Sequence, residues 1–402
     1  MIPALVNLAV IVLAMRWLGK EAYGQYSLIF YFLMLVCTFT LGWIQQSVLR
    51  YLSAYSDDLK MTVIRFKVLT FLSSFAGTLV VIIPGIIYFN LHLTETLLLA
   101  AVLILYNNLF LELTIEQTLF RPLRYAVKEG VYNIVMLLTF IVLFMVFHVN
   151  HYLILFVAML VGLVIVPFLP KHPETKNNLS FHWSAEYFDK GFAAKMWSYG
   201  ILLSVWLSIS YLFNIANRFF IKEYAGYEQV GVFSSVYDII FKISGFVCMP
   251  VLLAYHPKIT SLWNQGNRNA ALKEIRMALL IEVVVFIAVV AVFMPGRALL
   301  YDKVLHLNES GLGWMSLLLI VSAFLWQAAM LVHKTLELLL KLKQMILAIL
   351  VALMINIAGN FLLIPVYGYK AAAITTFAGI VSYITIVAFV SRYYFNREVQ
   401  HG

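Results

Sequence analysis

Charged residues and cysteines are scarce in this chain. Of its 402 residues only 12% are Asp, Glu, Lys or Arg, against about 25% in ordinary soluble domains. With 63% hydrophobic residues and a mean hydropathy of +0.91, this scarcity excludes a soluble domain with a single anchor and indicates a polytopic membrane protein. The two cysteines, Cys37 and Cys248, both fall in apolar stretches, which excludes a disulfide or metal framework.

Motifs that would mark an ATP-driven pump or an enzyme are also missing from the sequence. There is no GxxxxGK[ST] loop to hold nucleotide phosphates, and no HExxH or Cys/His cluster to hold a metal ion. The one pair of adjacent acids, Asp57-Asp58, stands in a short polar segment without further ligands. We therefore expect no catalytic residues, no cofactor and no metal site, and we expect that the protein is not an enzyme.

What is present is a series of apolar stretches separated by short polar breaks. A helix needs about 20 apolar residues to cross the hydrocarbon core of a bilayer. Candidate spans are residues 2–17, 26–48, 68–88, 96–114, 132–148, 152–167, 199–215, 230–255, 278–294, 314–331, 345–365 and 371–393. The sequence thus predicts an all-α integral membrane fold of about twelve transmembrane helices. The first stretch is short and lacks the basic start of a signal peptide, and we expect the chain to begin inside its first span.

Lysines and arginines are distributed unevenly over the polar breaks. The breaks after even-numbered stretches, with the flanking span ends, hold 20 of the 28 lysines and arginines. Basic residues are enriched in cytoplasmic loops. Both termini are therefore predicted to lie in the cytoplasm, and the net charge of +9 indicates topology rather than nucleic-acid binding. The longest break predicts an N-terminal lobe of six spans (1–170), a cytoplasmic amphipathic linker (171–198) and a C-terminal lobe of six spans (199–402).

The two predicted lobes carry a weak internal repeat. YGQYS at 23–27 and VGVFS at 230–234 each open a long apolar stretch shortly after a Lys-Glu pair. Because each predicted lobe has an even number of spans, both lobes enter the membrane from the same side. The sequence therefore predicts a parallel repeat about an axis along the membrane normal, with the two lobes around a central cavity.

The eighth stretch, residues 230–255, contains two opposite charges near its middle. Asp238 and Lys242 are four residues apart, so on a helix they share a face and can pair. A lysine near the bilayer centre costs about 2.5–3.5 kcal/mol and usually faces a bundle interior or a water-filled cavity. The sequence therefore predicts that this helix lines a polar cavity.

Four segments, taken together, resemble a known family. They are RWLGKEAYGQYSL (16–28), GWIQQSVLRYLSAY (42–55), NRFFIKEYAGYEQVGVFSSVY (217–237) and NIAGNFLLIPVYGYKAAAITT (356–376). In this order they resemble the Wzx-type polysaccharide and O-antigen flippases of the multidrug/oligosaccharidyl-lipid/polysaccharide (MOP) exporter superfamily. Where that family commonly has an Asp-Arg pair, this chain has Asn217-Arg218.

The resemblance implies a transporter in the bacterial inner membrane that moves a polyprenyl-diphosphate-linked oligosaccharide from the inner to the outer leaflet by alternating access. Spans 1, 2, 7 and 8 would line the cavity. A diphosphate is strongly anionic, so cations there would bind it. Candidate substrate-binding residues on those spans or at their ends are Lys242, Arg50, Arg16 and Arg218. Arg16 and Arg218 fall at predicted outer span ends, where a long side chain can instead reach the lipid head groups.

Acidic residues within the spans are candidates for ion coupling. Asp238 is either the counter-ion of Lys242 or a coupling group, and Glu112, Glu116 and Glu282 are further candidates, with H⁺ or Na⁺ as the ion. Two other functions stay open: an ion-coupled multidrug exporter of the same superfamily, whose cavity should be acidic, and a membrane polysaccharide polymerase. The polymerase should carry its catalytic residues on a large outer loop. The expected partners are the lipid-linked oligosaccharide and membrane lipids, and no nucleic acid.

Overall fold

The computed structural model describes residues 2–170, 187–307 and 311–401, and these ranges are helical without any β-strand. The helices are α1 (Ile2–Trp17), α2 (Gly19–Tyr51), α3 (Leu59–Ile87), α4 (Leu93–Thr118), α5 (Pro122–Met145), α6 (Leu153–Ile165), α7 (Lys190–Asn264), α8 (Arg268–Ala298), α9 (Leu312–Val332), α10 (Lys334–Leu338), α11 (Leu342–Tyr367) and α12 (Ala371–His401). Within these ranges, eight stretches are long and apolar enough to cross a membrane, and two of these, with 75 and 56 residues, are long enough to cross twice. Together with the shorter α1 and α6, they give about twelve crossings. The predicted all-α membrane fold is therefore confirmed.

The longest helical segment, α7, folds back on itself. It has 75 residues, which in a straight helix would extend about 110 Å, several times the thickness of a bilayer core. Gly226 interrupts it with φ +83°, a conformation that glycine adopts without steric cost. Arg218 and Asp238 lie on either side of Gly226 and approach each other to 2.7 Å, so the two parts of α7 lie side by side. The seventh predicted span continues beyond its predicted end at 215 and includes Arg218.

The described part of the chain forms two compact units. The first unit combines Leu8–Leu28 with the described residues of Leu212–Gly402. The second unit combines Ile2–Asn7 with the described residues of Ile29–Tyr211. Helices α1, α2 and α7 therefore each contribute residues to both units.

Helix α7 begins in the second unit directly after a capping residue. Oδ1 of Asp189 accepts hydrogen bonds from the backbone N–H groups of Gly191 (2.8 Å) and Phe192 (3.0 Å). These bonds, with the nearby Arg65 guanidinium, hold the pKa of the Asp189 carboxyl below its ordinary value. Phe192 packs into an apolar cluster of this unit. Residues 171–186 of the predicted amphipathic linker lie outside the described residues.

Unusual backbone conformations recur in the two halves of the chain. Gly19, between α1 and α2, has φ +85°, and Gly226 within α7 has φ +83°. Phe120, after α4, has φ +53°, and Leu340, before α11, has φ +57°. In both of these turns the residue with positive φ donates its N–H to the carbonyl three residues earlier. Positive φ is uncommon for residues other than glycine, so this recurrence supports the parallel repeat predicted from the sequence.

Candidate functional site

An ion pair between Arg218 and Asp238 lies in the interior of the first unit. Nη2 of Arg218 donates to Oδ1 of Asp238 at 2.7 Å. The Arg218 side chain is 0% exposed and the Asp238 side chain 6%. The alternative explanation of Arg218 from the sequence, that its side chain reaches the lipid head groups, is therefore wrong. A four-residue spacing favoured Lys242 as the partner of Asp238, but the fold-back at Gly226 brings a different cation to this carboxylate.

Helix α2 supplies further hydrogen bonds to this ion pair. The hydroxyl of Tyr23 donates to Oδ2 of Asp238 at 2.9 Å, and Nε of Arg218 donates to Oγ of Ser27 at 2.9 Å. The guanidinium also lies over the ring of Tyr237, 5.0 Å from its centroid. Tyr23 and Ser27 are four residues apart, so a single face of α2 serves both members of the pair. A buried pair with this many hydrogen bonds has its desolvation cost largely compensated.

Two glycines allow the close helix contact that surrounds this pair. A Cβ atom at Gly24 of α2 would clash with the backbone carbonyl of Tyr227 in α7, and one at Gly231 would clash with the carbonyl of Lys20. Each glycine lies five residues after a glycine with positive φ, Gly19 or Gly226. The two segments of the predicted repeat thus pack against each other through equivalent positions, and this contact requires glycine at both.

Lys242 lies one helical turn beyond Asp238 and is half-buried. Asp238 attracts it and Arg218 repels it electrostatically, and the Asp238 carboxylate is bonded to Arg218 and Tyr23. Within the described ranges, no carboxylate lies within 4.0 Å of the Lys242 ammonium group. Its charge is therefore not neutralised by direct contact, in contrast to that of Arg218.

The remaining predicted cations, Arg16 and Arg50, are exposed. Arg16 is in the last turn of α1 and belongs to the first unit. Arg50 is in the last turn of α2, belongs to the second unit, and lies 4.5 Å from the ring centroid of Tyr199. Cations at the C-terminal ends of helices interact favourably with the helix dipole.

Glu112 and Glu116 of α4 lie in a buried charge cluster of the second unit. Nζ of Lys128 lies 3.1 Å from Oε2 of Glu112 and 2.8 Å from Oε1 of Glu116. Nζ of Lys67 lies 3.1 Å from the other oxygen of Glu112, and Arg121 lies 3.9 Å from Glu116. Both predicted coupling carboxylates are therefore neutralised by neighbouring cations.

The sequence does not predict the role of Lys128, because the predicted fifth span begins too late in the chain. The span was predicted to begin at residue 132, whereas α5 begins at Pro122. Lys128 was therefore counted as a loop residue that indicates topology. The sequence signal that indicates a buried cationic partner is the pair of acids Glu112 and Glu116, four residues apart on α4.

Glu282 differs from the other candidate carboxylates because it has no cationic partner among the described residues. The buried residues of α8 are Ala271, Ile275, Ala278 and Glu282, which form one stripe. Glu282 is 4% exposed, and its Oε2 atom has no hydrogen-bond partner among the described residues.

Asparagines form a separate polar network in the first unit. Oδ1 of Asn217 accepts hydrogen bonds from Asn356 (3.1 Å) and Asn360 (2.8 Å) of α11, and its amide donates to Thr376 of α12 at 2.8 Å. These groups satisfy each other, which is the arrangement that buried amides need. In the ranges that the structure describes, no three His, Cys, Asp or Glu side chains are grouped so that they could hold a metal ion.

Comparison with solved structures shows that this fold is shared with transporters. The chain superposes on an inward-facing multidrug resistance MATE family transporter of the MOP superfamily with a TM-score of 0.70 at 15% identity, covering 98% of this chain and 95% of that one. It superposes on the lipid II flippase MurJ with a TM-score of 0.69 at 13% identity, covering 97% and 86%. For a MOP superfamily transporter from Pyrococcus furiosus, described as having a binding pocket of reverse polarity, the TM-score is 0.69 at 14% identity, covering 98% and 92%.

Sequence comparison identifies the family. A search of curated proteins finds no significant match. The family described as "Polysaccharide biosynthesis protein" matches residues 1–263, which is more than half of the chain and includes the Arg218–Asp238 pair and Lys242. The chain therefore belongs to the polysaccharide biosynthesis protein family, on a fold that it shares with MOP superfamily transporters.

Proposed function

We propose that this protein is a flippase for a polyprenyl-diphosphate-linked oligosaccharide, such as an O-antigen or another surface polysaccharide unit. The observation that carries this proposal is Lys242, a cation inside an apolar membrane segment, because Asp238, one helical turn before it, is bonded to Arg218 instead. Membership of the polysaccharide biosynthesis family and the likeness to a lipid II flippase support the choice of a lipid-linked sugar. Transport would run from the inner to the outer leaflet of the bacterial inner membrane.

The charge on Lys242 favours an anionic ligand. A lysine inside a membrane segment is costly unless an anion, water or lipid head group compensates it. A diphosphate supplies several negatively charged oxygens that an ammonium group can bind. We therefore assign the diphosphate to Lys242, with Arg16 and Arg50 as further contacts during entry or release. We assign Arg218 to holding Asp238 and α2 in place, because its charge is already compensated.

The proposed cycle is alternating access between the lobes predicted at residues 1–170 and 199–402. Both termini are placed in the cytoplasm, membrane lipids surround the protein, and H⁺ or Na⁺ couples transport. Reporters fused after Asp58 and Gln265 should therefore report the cytoplasm, and one fused after Leu93 the outside. A reporter after Gln265 that is found outside would contradict this topology.

Substitution of Lys242 tests the proposal in cells that lack the native flippase. K242A should abolish surface display of the polysaccharide, K242R should retain part of it because the charge persists, and K242E should be the most impaired. Protein level in the membrane is measured in parallel and should stay normal for all three. K258A is the matched control, because Lys258 is on the same helix but is exposed and paired with Glu274, and it should retain display.

A double variant separates ligand binding from a structural role of Lys242. If Lys242 only balanced Asp238, D238N/K242Q would restore the display that either single variant loses. We expect no restoration, because D238N removes the partner of Arg218. Full display by K242A at normal protein level, or recovery by the double variant, would overturn the proposal.

A second candidate function is an ion-coupled multidrug exporter. The observation that favours it is the fold shared with a MATE family transporter. A cationic drug would need acidic groups, whereas Lys242 in the apolar part of α7 is positive and has no carboxylate within 4.0 Å among the described residues. Cells that express the protein should therefore show unchanged resistance to cationic drugs. Increased resistance that K242A leaves intact would favour the exporter.

A further inference from the structure

Glu282 is a buried acid in a helix that is otherwise strongly apolar. Between Arg276 and Arg297 it is the one titratable residue in the sequence of α8. It follows Ala271, Ile275 and Ala278 at helical spacing, so its side chain continues the stripe that α8 buries. The preceding part of this stripe packs in an apolar cluster with Ile259 of α7 and Leu331 next to the end of α9. The carboxyl therefore points into the helix bundle and not toward lipid.

In the part of the bundle that the structure describes, no cation compensates this carboxyl. On α7, the thiol of Cys248 lies close enough to interact electrostatically with this carboxyl. Helix α9 packs against α8 through a contact between Phe286 and Phe324, and its sequence from Leu312 to Val332 contains no titratable residue. Among the described residues no Lys, Arg or His nitrogen lies within 4.0 Å of Glu282, and Oε2 has no hydrogen-bond partner.

A comparison with the other buried carboxylates shows how unusual this is. Asp238 is paired with Arg218, and both Glu112 and Glu116 are paired with Lys128. An isolated carboxylate away from water costs several kcal/mol, and such a group usually remains neutral by keeping its proton. We infer that Glu282 is a proton-binding site of the transport cycle, protonated in the conformation described by this structure and deprotonated in another.

The proton would couple transport to the pH gradient across the membrane, and this role rests on the proposed flippase function. In the described state the carboxyl carries the proton as a neutral acid. In a conformation that admits water to the bundle, the O–H bond breaks, the proton passes to water and the carboxylate remains. Each cycle would then move one proton per substrate. A difference of one pH unit supports up to about a tenfold change in the leaflet ratio of the substrate.

The protonation state can be tested without any transport. Infrared spectra are recorded for the purified protein in lipid vesicles at pH 7, and the spectrum of E282Q is subtracted from that of wild type. We expect a positive C=O stretching band of a protonated carboxylic acid. A pair of carboxylate bands at that pH would overturn the inference whatever the protein transports. The matched difference for E274Q, on the same helix but paired with Lys258, should show carboxylate bands.

The coupling role is tested with vesicles that contain a fluorescent short-chain polyprenyl-diphosphate monosaccharide. Its leaflet ratio is measured with and without an imposed gradient of one pH unit. We expect the gradient to shift the ratio by up to about tenfold for wild type and E274Q, and not for E282Q. A shift that persists in E282Q would overturn the coupling role. If neither wild type nor E274Q flips this probe while wild type shows the protonated-acid band, the proposed flippase function is contradicted and the proton-binding site is still supported.

Discussion

The two units bury their charges in different ways. In the second unit, Glu112 and Glu116 are held by Lys67 and Lys128 on neighbouring helices, with each carboxylate in direct contact with a lysine. In the first unit, Asp238 is bonded to Arg218, whereas Oε2 of the buried Glu282 has no hydrogen-bond partner among the described residues. Lys242, one turn further along α7, has no carboxylate within 4.0 Å among the described residues.

This difference separates scaffolding from a candidate binding site. A charge cluster whose members neutralise each other joins α3, α4 and α5 and has little to offer a ligand. A cation without a direct partner retains its attraction for an anion. The cluster of Glu112, Glu116, Lys67 and Lys128 is therefore a structural element, and the proposed binding of an anionic group is assigned to Lys242.

Removal of Arg218 should have the largest effect on stability. R218M leaves Asp238 buried without its cation, and breaking a buried ion pair in this way costs about 3–5 kcal/mol. The measurement is the unfolding midpoint of the protein in detergent. The double variant R218M/D238L should recover most of the loss, because no unpaired charge remains. A double variant as unstable as R218M would show that the hydrogen bonds to Tyr23 and Ser27, and not the charges, dominate.

Removal of Lys128 should have the next largest effect. K128M leaves Glu116 with Arg121 at 3.9 Å, while Glu112 retains Lys67. Because part of the compensation survives, we expect a loss of about 2–3 kcal/mol in the free energy of unfolding. The control is K60M, which replaces an exposed lysine and should change stability little. Equal stabilities of K128M and wild type would contradict the scaffolding role of the cluster.

The glycine contact of the first unit should be sensitive to a single methyl group. G231A places a Cβ against the backbone carbonyl of Lys20, and such overpacking typically costs about 1–3 kcal/mol. G130A is the matched control, because a Cβ there meets nothing within 4 Å. Thermal unfolding of both variants is compared with wild type. A loss of stability in G130A alone would refute the close contact between α2 and α7.

The smallest effect is expected at the start of α7, where Asp189 caps the helix. Hydrogen bonds from Phe192 and Gly191 hold the pKa of this carboxyl low. Its stabilising contribution is therefore complete above the unfolded pKa of about 3.9 and is lost as the pH falls through the lower folded pKa. Amide exchange in the first turn of α7, corrected for intrinsic rates, should accelerate over that range in wild type. In D189A it should be faster throughout and lack this pH dependence.

The membrane class, the approximate number of spans and the repeat could be predicted from sequence because each depends on local composition or on short segments. Twenty apolar residues form a helix in a bilayer whatever their neighbours are, since the backbone has no other way to satisfy its hydrogen bonds. Span ends were less predictable. The predicted seventh span ends before Arg218, and the predicted fifth span begins after Lys128. In both cases a charged residue is assigned to a loop, because its buried partner is not evident from the sequence.

The partners of the buried charges were decided only by the tertiary structure. Asp238 had a candidate cation four residues away, yet a turn at Gly226 presents Arg218 to it with better geometry, and α2 adds Tyr23 and Ser27. Such pairs join residues that are distant in the chain, so no local spacing specifies them. The sequence by itself determined which residues carry charge into the membrane, because that depends on composition. Only the packing of the helices determined which charges are neutralised, because ion pairing depends on distances of a few ångströms between separate segments.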